Sequence, residues 1–234
     1  MKQINKSEQD AIVLHVAFSI VASVTIITSP RDDLGLRIWS LIIGWYTSII
    51  FTAHQRNHTH WLHIVKFLLL ICICFIFPDG FLVRGLKTLW FPDMGVGQIF
   101  GVTSFMPFMW AIPLFISTLV GIGMEDRGAG IDQAAISAGI MGLILMGGSE
   151  GVLTRIPVWH VLDNNCSTMG QYIAIYVLFP EFCVGMCTYL GWKYIRLEHG
   201  RVSFLRWFSV AFLIMCMYLG NLIVCFMIID GDKL

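Results

Sequence analysis

Apolar runs recur along the whole chain, separated by short polar connections. Their lengths approach the roughly 20 residues that an α-helix needs to cross a bilayer. The pattern predicts seven spans, at about 11–29, 38–53, 61–77, 105–124, 134–150, 171–192 and 206–229. The second and fifth are short and read as tilted or partly buried helices. Between the third and fourth, segment 81–91 sets Arg84 and Lys87 among Phe81, Leu82, Leu86, Leu89 and Trp90. That mixture suits a helix lying in the interface plane. Pro78, Asp79 and Gly80 are expected to turn the chain into it, and Pro92 and Asp93 to turn it out. The polar residues 1–10 precede a first run with no small-residue cleavage site, which reads as a retained helix. The expected fold is an all-α polytopic membrane helical bundle, a single transmembrane domain over 1–234.

Composition narrows the function classes. Hydrophobic residues make up 57% of the 234 and charged residues 13%, against roughly 25% charged in a soluble domain. Seven spans use roughly 140 residues at that span length, leaving no room for a soluble catalytic module. Fifteen basic residues balance fifteen acidic ones, so no surplus positive charge is available for nucleic acid. Six of the seven cysteines fall in apolar runs and Cys166 alone sits in a polar loop, which is no disulfide framework. No internal repeat of the kind common in secondary transporters is evident.

Charge placement predicts the orientation. Lys2, Lys6, Arg56, Lys66, Arg127, Lys193, Arg196, Arg201 and Arg206 fall on one side; Arg31, Arg37, Arg84, Lys87, Arg155 and Lys233 fall on the other. The excess places the N-terminus in the cytosol, in an endomembrane resembling the endoplasmic reticulum if the source is eukaryotic. Asn165-Cys166-Ser167 is then a lumenal glycosylation sequon.

Acidic residues at membrane depth mark function by default. Glu181 lies ten residues into the expected sixth span, roughly 15 Å deep and near the midplane. Pro180 before it is expected to free a backbone carbonyl one turn earlier. Glu150 closes the fifth span and faces the same end of the two-helix hairpin. A carboxyl held partly out of water can carry the proton that a general acid donates; a helix–helix hydrogen bond or a solvated helix end is the plainer reading. On the same side gather Asp79, Asp93, Trp110, Trp159, His160, Asp163, Tyr172 and Tyr176. Pro107 and Pro113 bracket Trp110 and are expected to bend that helix and open space beside it. Paired acids among indole faces would form a pocket for an apolar substrate and a cation, although interfacial aromatic belts use the same residues. His54, His58, His60 and His63 cluster at the opposite end, with His54 and His58 expected on one helical face. A solvated interfacial loop explains them better than a metal site, and no metal is expected. The seventh span contains no lysine for a retinal Schiff base, and the glycines of 95–101 miss the dinucleotide-binding spacing.

Gly148-Ser149-Glu150 with Pro157-Val158-Trp159-His160, Ile175-Tyr176-Val177-Leu178-Phe179-Pro180-Glu181 continuing to Gly185, and Trp110-Ala111-Ile112-Pro113-Leu114-Phe115 together resemble segments of small polytopic terpenoid-modifying enzymes. These are the integral-membrane terpene cyclases and, more distantly, the membrane carotenoid hydratases and cyclases. The resemblance implies redox-neutral carbocation chemistry on a lipid-soluble isoprenoid, with no cofactor. It makes Glu150 and Glu181 the acid candidates, sets Trp110 and Trp159 against the cation, and gives His160 a proton relay. The aspartate that such enzymes carry late in the final span has no counterpart before Asp230. Two other classes stay open: a transporter or proton-coupled carrier with Glu181 as its midplane site, and a non-catalytic bundle joined by its acids.

Overall fold

The computed structural model describes residues 5–28, 33–153, 158–170, 172–196 and 203–233. Lys2, Arg31, Arg155, Pro157 and Arg201, which enter the sequence reading, lie outside the described residues. Among the described residues seven helices are long and apolar enough to cross a membrane, as an integral multi-pass membrane protein requires. They are α1 (Lys6–Ile27), α2 (Leu34–Arg56), α3 (Thr59–Arg84), the pair α4 (Met106–Met109) and α5 (Ala111–Asp126), α6 (Ile131–Leu153), α7 (Leu178–Arg196) and α8 (Phe204–Asp230). A 3-10 turn, Ile175–Val177, leads into α7. Alternating directions put the N-terminus and the connections after α2, α5 and α7 at one end, and the longer connections after α3 and α6 at the other.

Several boundaries differ from the sequence reading, each for a local reason. No interfacial helix forms at 81–91. Pro78, Asp79 and Gly80 lie inside α3, which runs on to Arg84. Pro78 removes the one hydrogen bond to the carbonyl of Cys74 but leaves the rest of the turn able to continue. Gly80 supplies the gap into which Phe100 packs, since an added Cβ would meet the Phe100 Cβ at 3.0 Å. Leu89–Trp90 then forms β1. The bracketed fourth span is broken rather than bent, with Trp110 at the α4–α5 junction. His54 and His58 do not share a helical face: Asn57 takes the left-handed conformation (φ 58°) and ends α2, and His58 caps α3. His58 bonds Asp10 at 2.8 Å instead. Among the described residues no group of three or more His, Cys, Asp or Glu is arranged to hold a metal ion.

The loop-rich end is closed by three two-stranded ribbons. β1 pairs with β4 (His160–Val161), β2 (Gln98–Ile99) with β3 (Val102–Thr103), and β5 (Thr168–Met169) with β6 (Ile173–Ala174). The second is a tight hairpin, with positive φ at both Phe100 (56°) and Gly101 (84°), as its right-handed twist demands. The third is anchored by fully buried Asp230 of α8, whose Oδ1 accepts the Ser167 backbone N–H at 2.7 Å. Cys166 beside it is buried, and burial followed by the Asp230 charge pushes its thiol up to about 11. Asn165, the sequon residue, donates its side-chain amide to the Lys87 carbonyl at 2.6 Å.

At the other end a polar network holds the first turn of α1. Asn5 forms a capping box with Glu8 and donates to Asp126 at 3.2 Å. Arg127 pairs with Glu8 at 2.8 Å. Trp61 donates its indole N–H to Ser7 at 2.9 Å. Beyond that turn α1 contributes little to the core: Ala11 is its buried residue, and only 6% of its apolar window is buried. α3 and α7 are the central elements, with 56% and 61% of theirs buried.

The closest helix contact is α6 on α7. An added Cβ at Gly185 would stand 2.8 Å from the Ala138 carbonyl oxygen and 3.1 Å from the Gly142 Cα. Backbone cannot yield there as a flexible side chain can, and small residues let membrane helices approach this closely. Gly185→Ala is expected to destabilise by about 1–3 kcal/mol, read as a lower midpoint in a detergent thermal-aggregation assay. Gly44→Ala, with nothing within 4 Å of the added Cβ, should leave the midpoint unchanged or raise it. Equal midpoints for the two variants would contradict this packing.

Candidate functional site

Three acidic side chains converge near the loop-rich end, each from a different helix. Asp79 comes from the middle of the last turns of α3 and is 2% exposed. Glu150 comes from α6, which runs three residues past it to Leu153. Glu181 comes from the first turn of α7 and is 2% exposed. With Trp110, Trp159 and Tyr218 they surround a small void of about 20 Å³, large enough for one water molecule. Trp110, Glu150, Trp159 and Glu181 also line a larger cavity of about 580 Å³. Its other walls come from α1, α2, α5 and α6 and are mostly apolar, with Phe18, Ile38, Ile112 and Ile144 among them, interrupted by His15, Ser19 and Ser23 of α1.

Indole donors position two of the acids. Trp110 Nε1 donates to Asp79 Oδ2 at 3.1 Å, and Trp159 Nε1 donates to Glu150 Oε2 at 3.3 Å. Glu181 Oε2 is buried and has no hydrogen-bond partner among the described residues. Among the described residues no lysine or arginine lines either space. Uncompensated ionic charge is costly in such surroundings. Aromatic faces stand around it: Phe75 lies 5.0 Å from the Trp110 ring and 5.0 Å from Tyr218, with Tyr218 edge-on to Trp110 at 5.4 Å.

Glu181 lies nearer the start of its helix than the sequence reading placed it. The helical segment begins at Ile175 rather than at 171, so Glu181 is six residues in, roughly 9 Å along it rather than roughly 15 Å. Pro180 occupies the first turn of α7, directly after the 3-10 turn Ile175–Val177.

Of the other residues singled out in the sequence, His160, Tyr176 and Asp93 stand apart from both cavities. His160 sits on β4 opposite Trp90, and the two rings stack at 5.3 Å. The ribbon pairing turns it toward the surface, away from the acids. Tyr176 is buried, but its hydroxyl is bound to Thr88 at 2.6 Å and its ring meets the edge of Phe226. Asp93 is exposed and accepts the Gly95 backbone N–H at 2.9 Å, shaping a turn. Two residues escaped the sequence reading. Tyr218 is the lone tyrosine of α8, and a phenol at membrane depth was its available signal. His15, on α1, lines the larger cavity, accepts the Trp45 indole N–H at 3.2 Å and bonds the Ala11 carbonyl through Nδ1 at 2.8 Å.

Residues 76–229, more than half of the chain, match the family described as Domain of unknown function (DUF6989). The chain belongs to this family. No curated protein and no solved structure matches it. The DUF6989 stretch holds Asp79, Trp110, Glu150, Trp159, Glu181 and Tyr218, hence the whole acid cluster. Helices α1 and α2, which supply the facing walls of the larger cavity, lie outside it.

The Trp110–Asp79 bond can be tested by a double-mutant cycle. Trp110→Phe should cost about 1–3 kcal/mol, because it leaves a buried acceptor without its donor. In the Asp79→Leu background the same change should cost much less, read from chemical denaturation in detergent. Additive losses would show that the two side chains act independently.

Proposed function

We propose that this DUF6989 protein is a membrane enzyme catalysing redox-neutral acid–base chemistry, such as cyclisation, hydration or isomerisation, on a lipid-soluble isoprenoid. The observation that carries the reading is that Glu150 and Glu181 share one tryptophan-lined cavity with no lysine or arginine lining it among the described residues. A protonated carboxyl there can transfer its proton to an alkene carbon or an epoxide oxygen. The resulting carbocation lies against the indole faces of Trp110 and Trp159, where cation–π attraction is strongest in a desolvated site. Loss of a proton to the second carboxylate, or attack by water followed by proton loss, completes the cycle. The two routes differ only in whether a water molecule reaches the cation. Neither consumes an oxidant or reductant, and neither needs a cofactor.

Asp79, tied to Trp110 behind the glutamates, supplies a third carboxyl through which protons can be replenished. His160, stacked on Trp90 outside the cavity, has no part in this scheme. The position of Glu181 near the start of its helix favours an enzyme over a carrier, whose coupling site belongs near the midplane. The charge distribution supports a cytosolic N-terminus and a site in the non-cytosolic half of the bilayer, in an ER-like endomembrane if the source is eukaryotic.

Mass spectrometry of lipid extracts tests the proposal, using a host fed isoprenoid precursors and expressing wild type, Glu150→Gln or Glu181→Gln. Wild type should yield a species isomeric with a precursor or heavier by one water. Each variant should reduce it by at least ~100-fold while remaining monodisperse in detergent. Undiminished product from both variants would overturn the assignment of the acids.

A further inference from the structure

The larger cavity has a second polar wall that faces the acids. α1 lines it with His15, Ser19, Ala22, Ser23 and Ile26, spaced to fall on one helical face. His15 is already occupied at both ring nitrogens. Ser19 and Ser23 are exposed, and neither hydroxyl has a hydrogen-bond partner among the described residues. Hydroxyls in the bundle divide between two habits: that of Thr188 on α7 likewise has no partner among the described residues, while others bond back to their own helix. Ser40, Ser117, Thr118, Ser137 and Ser209 each donate to the carbonyl four residues earlier, as side chains in an apolar medium ordinarily do. Ser48 and Thr52 line the separate outer groove between α1 and α2, where neither Glu150 nor Glu181 is present. Across the larger cavity from Ser19 and Ser23 stands Glu181, 2% exposed and with its Oε2 unpartnered.

Depth agrees with this pairing of walls. Ser23 lies four residues from the end of α1, roughly 6 Å. Glu150 lies three residues from the end of α6, roughly 4.5 Å. The two walls therefore present polar groups at similar levels, across an otherwise apolar space. α1 is held by its polar first turn, while Ile27 on its far end and Ile144 and Val152 on α6 are exposed. The cavity is thus bordered by residues facing the hydrocarbon of the bilayer.

We propose that Ser19 and Ser23 determine specificity by binding an oxygen atom of the ligand, a hydroxyl or carbonyl, which enters sideways from the bilayer between α1 and α6. The ligand lies across the cavity, with its oxygen on α1 and its reactive carbons against Glu150 and Glu181. A pure hydrocarbon of the same length fills the apolar space and leaves the two hydroxyls unsatisfied. This rests on the proposed function for what happens at the acids, but not for binding.

Photolabelling separates the two. A diazirine analogue of farnesol is irradiated with the intact protein in detergent, competed with farnesol or with the hydrocarbon farnesene, and the labelled peptides are mapped by mass spectrometry. Labelling is expected within residues 10–27 and 140–153, with farnesol competing about tenfold better than farnesene. Ser19→Ala with Ser23→Ala should bring the two competitors to parity while labelling and monodispersity persist. Equal competition in wild type, discrimination unchanged in the double variant, or absence of label from residues 10–27 each overturns the inference. A protein that discriminates as expected yet converts no precursor upholds it and overturns the enzymatic reading instead.

Discussion

At Gly185 the α6 and α7 backbones come so close that a β-carbon would collide with the Ala138 carbonyl oxygen, and the geometry of the site depends on that contact. Gly139 and Gly142 continue it along α6, the first against Phe182 and the second against the Glu181 carbonyl. With the helices locked this near, Glu150 and Glu181 open into one cavity although they belong to separate spans. Gly147 extends the same logic to the side chain, since an added Cβ there would stand 3.5 Å from Glu181 Oε2.

The bundle is asymmetric in how it is fastened. Its N-terminal end is tied by ions and hydrogen bonds among Asn5, Glu8, Asp10, His58, Asp126 and Arg127. Its loop-rich end is tied by short ribbons, by the Thr88–Tyr176 bond and by buried Asp230. Between them, α3, α7 and α8 form a rigid centre around Phe75, Tyr218 and Trp192. α1 remains at the margin, which leaves room for a lipophilic cavity at membrane depth. That cavity has the character of a ligand site, largely apolar with a few convergent polar groups.

The sequence exposed the spans because each needs an apolar run of membrane length, and that signal needs no tertiary information. It exposed Glu150, Glu181, Trp110 and Trp159 because acids and indoles stand out in such runs. It misjudged the neighbours. Tyr176 and His160 occupy the right side of the membrane, but ribbon pairing and a hydroxyl–hydroxyl bond turn them elsewhere, which no local pattern reveals. Asp79 was seen as part of a turn because Pro78 and Gly80 flank it, whereas α3 absorbs all three residues and delivers the carboxyl to Trp110. Tyr218 went unnoticed because its role comes from contacts with α3 and the α4–α5 junction, distant in sequence. Glu181 was placed too far along its helix because the apolar signal begins before the helix does.

The central claim is a group of proton-carrying carboxyls screened from water and reachable from the lipid. Carbodiimides react with protonated carboxyls, so two reagents of opposite solubility report on it directly. Purified protein in lipid vesicles is treated in parallel with lipophilic dicyclohexylcarbodiimide and with a water-soluble carbodiimide, and modified residues are located by mass spectrometry. The account predicts that the lipophilic reagent modifies Glu150, Glu181 or both, while the soluble one spares them and reacts with exposed acids such as Asp93. Modification of both glutamates by the soluble reagent, or of neither by the lipophilic one, would contradict it.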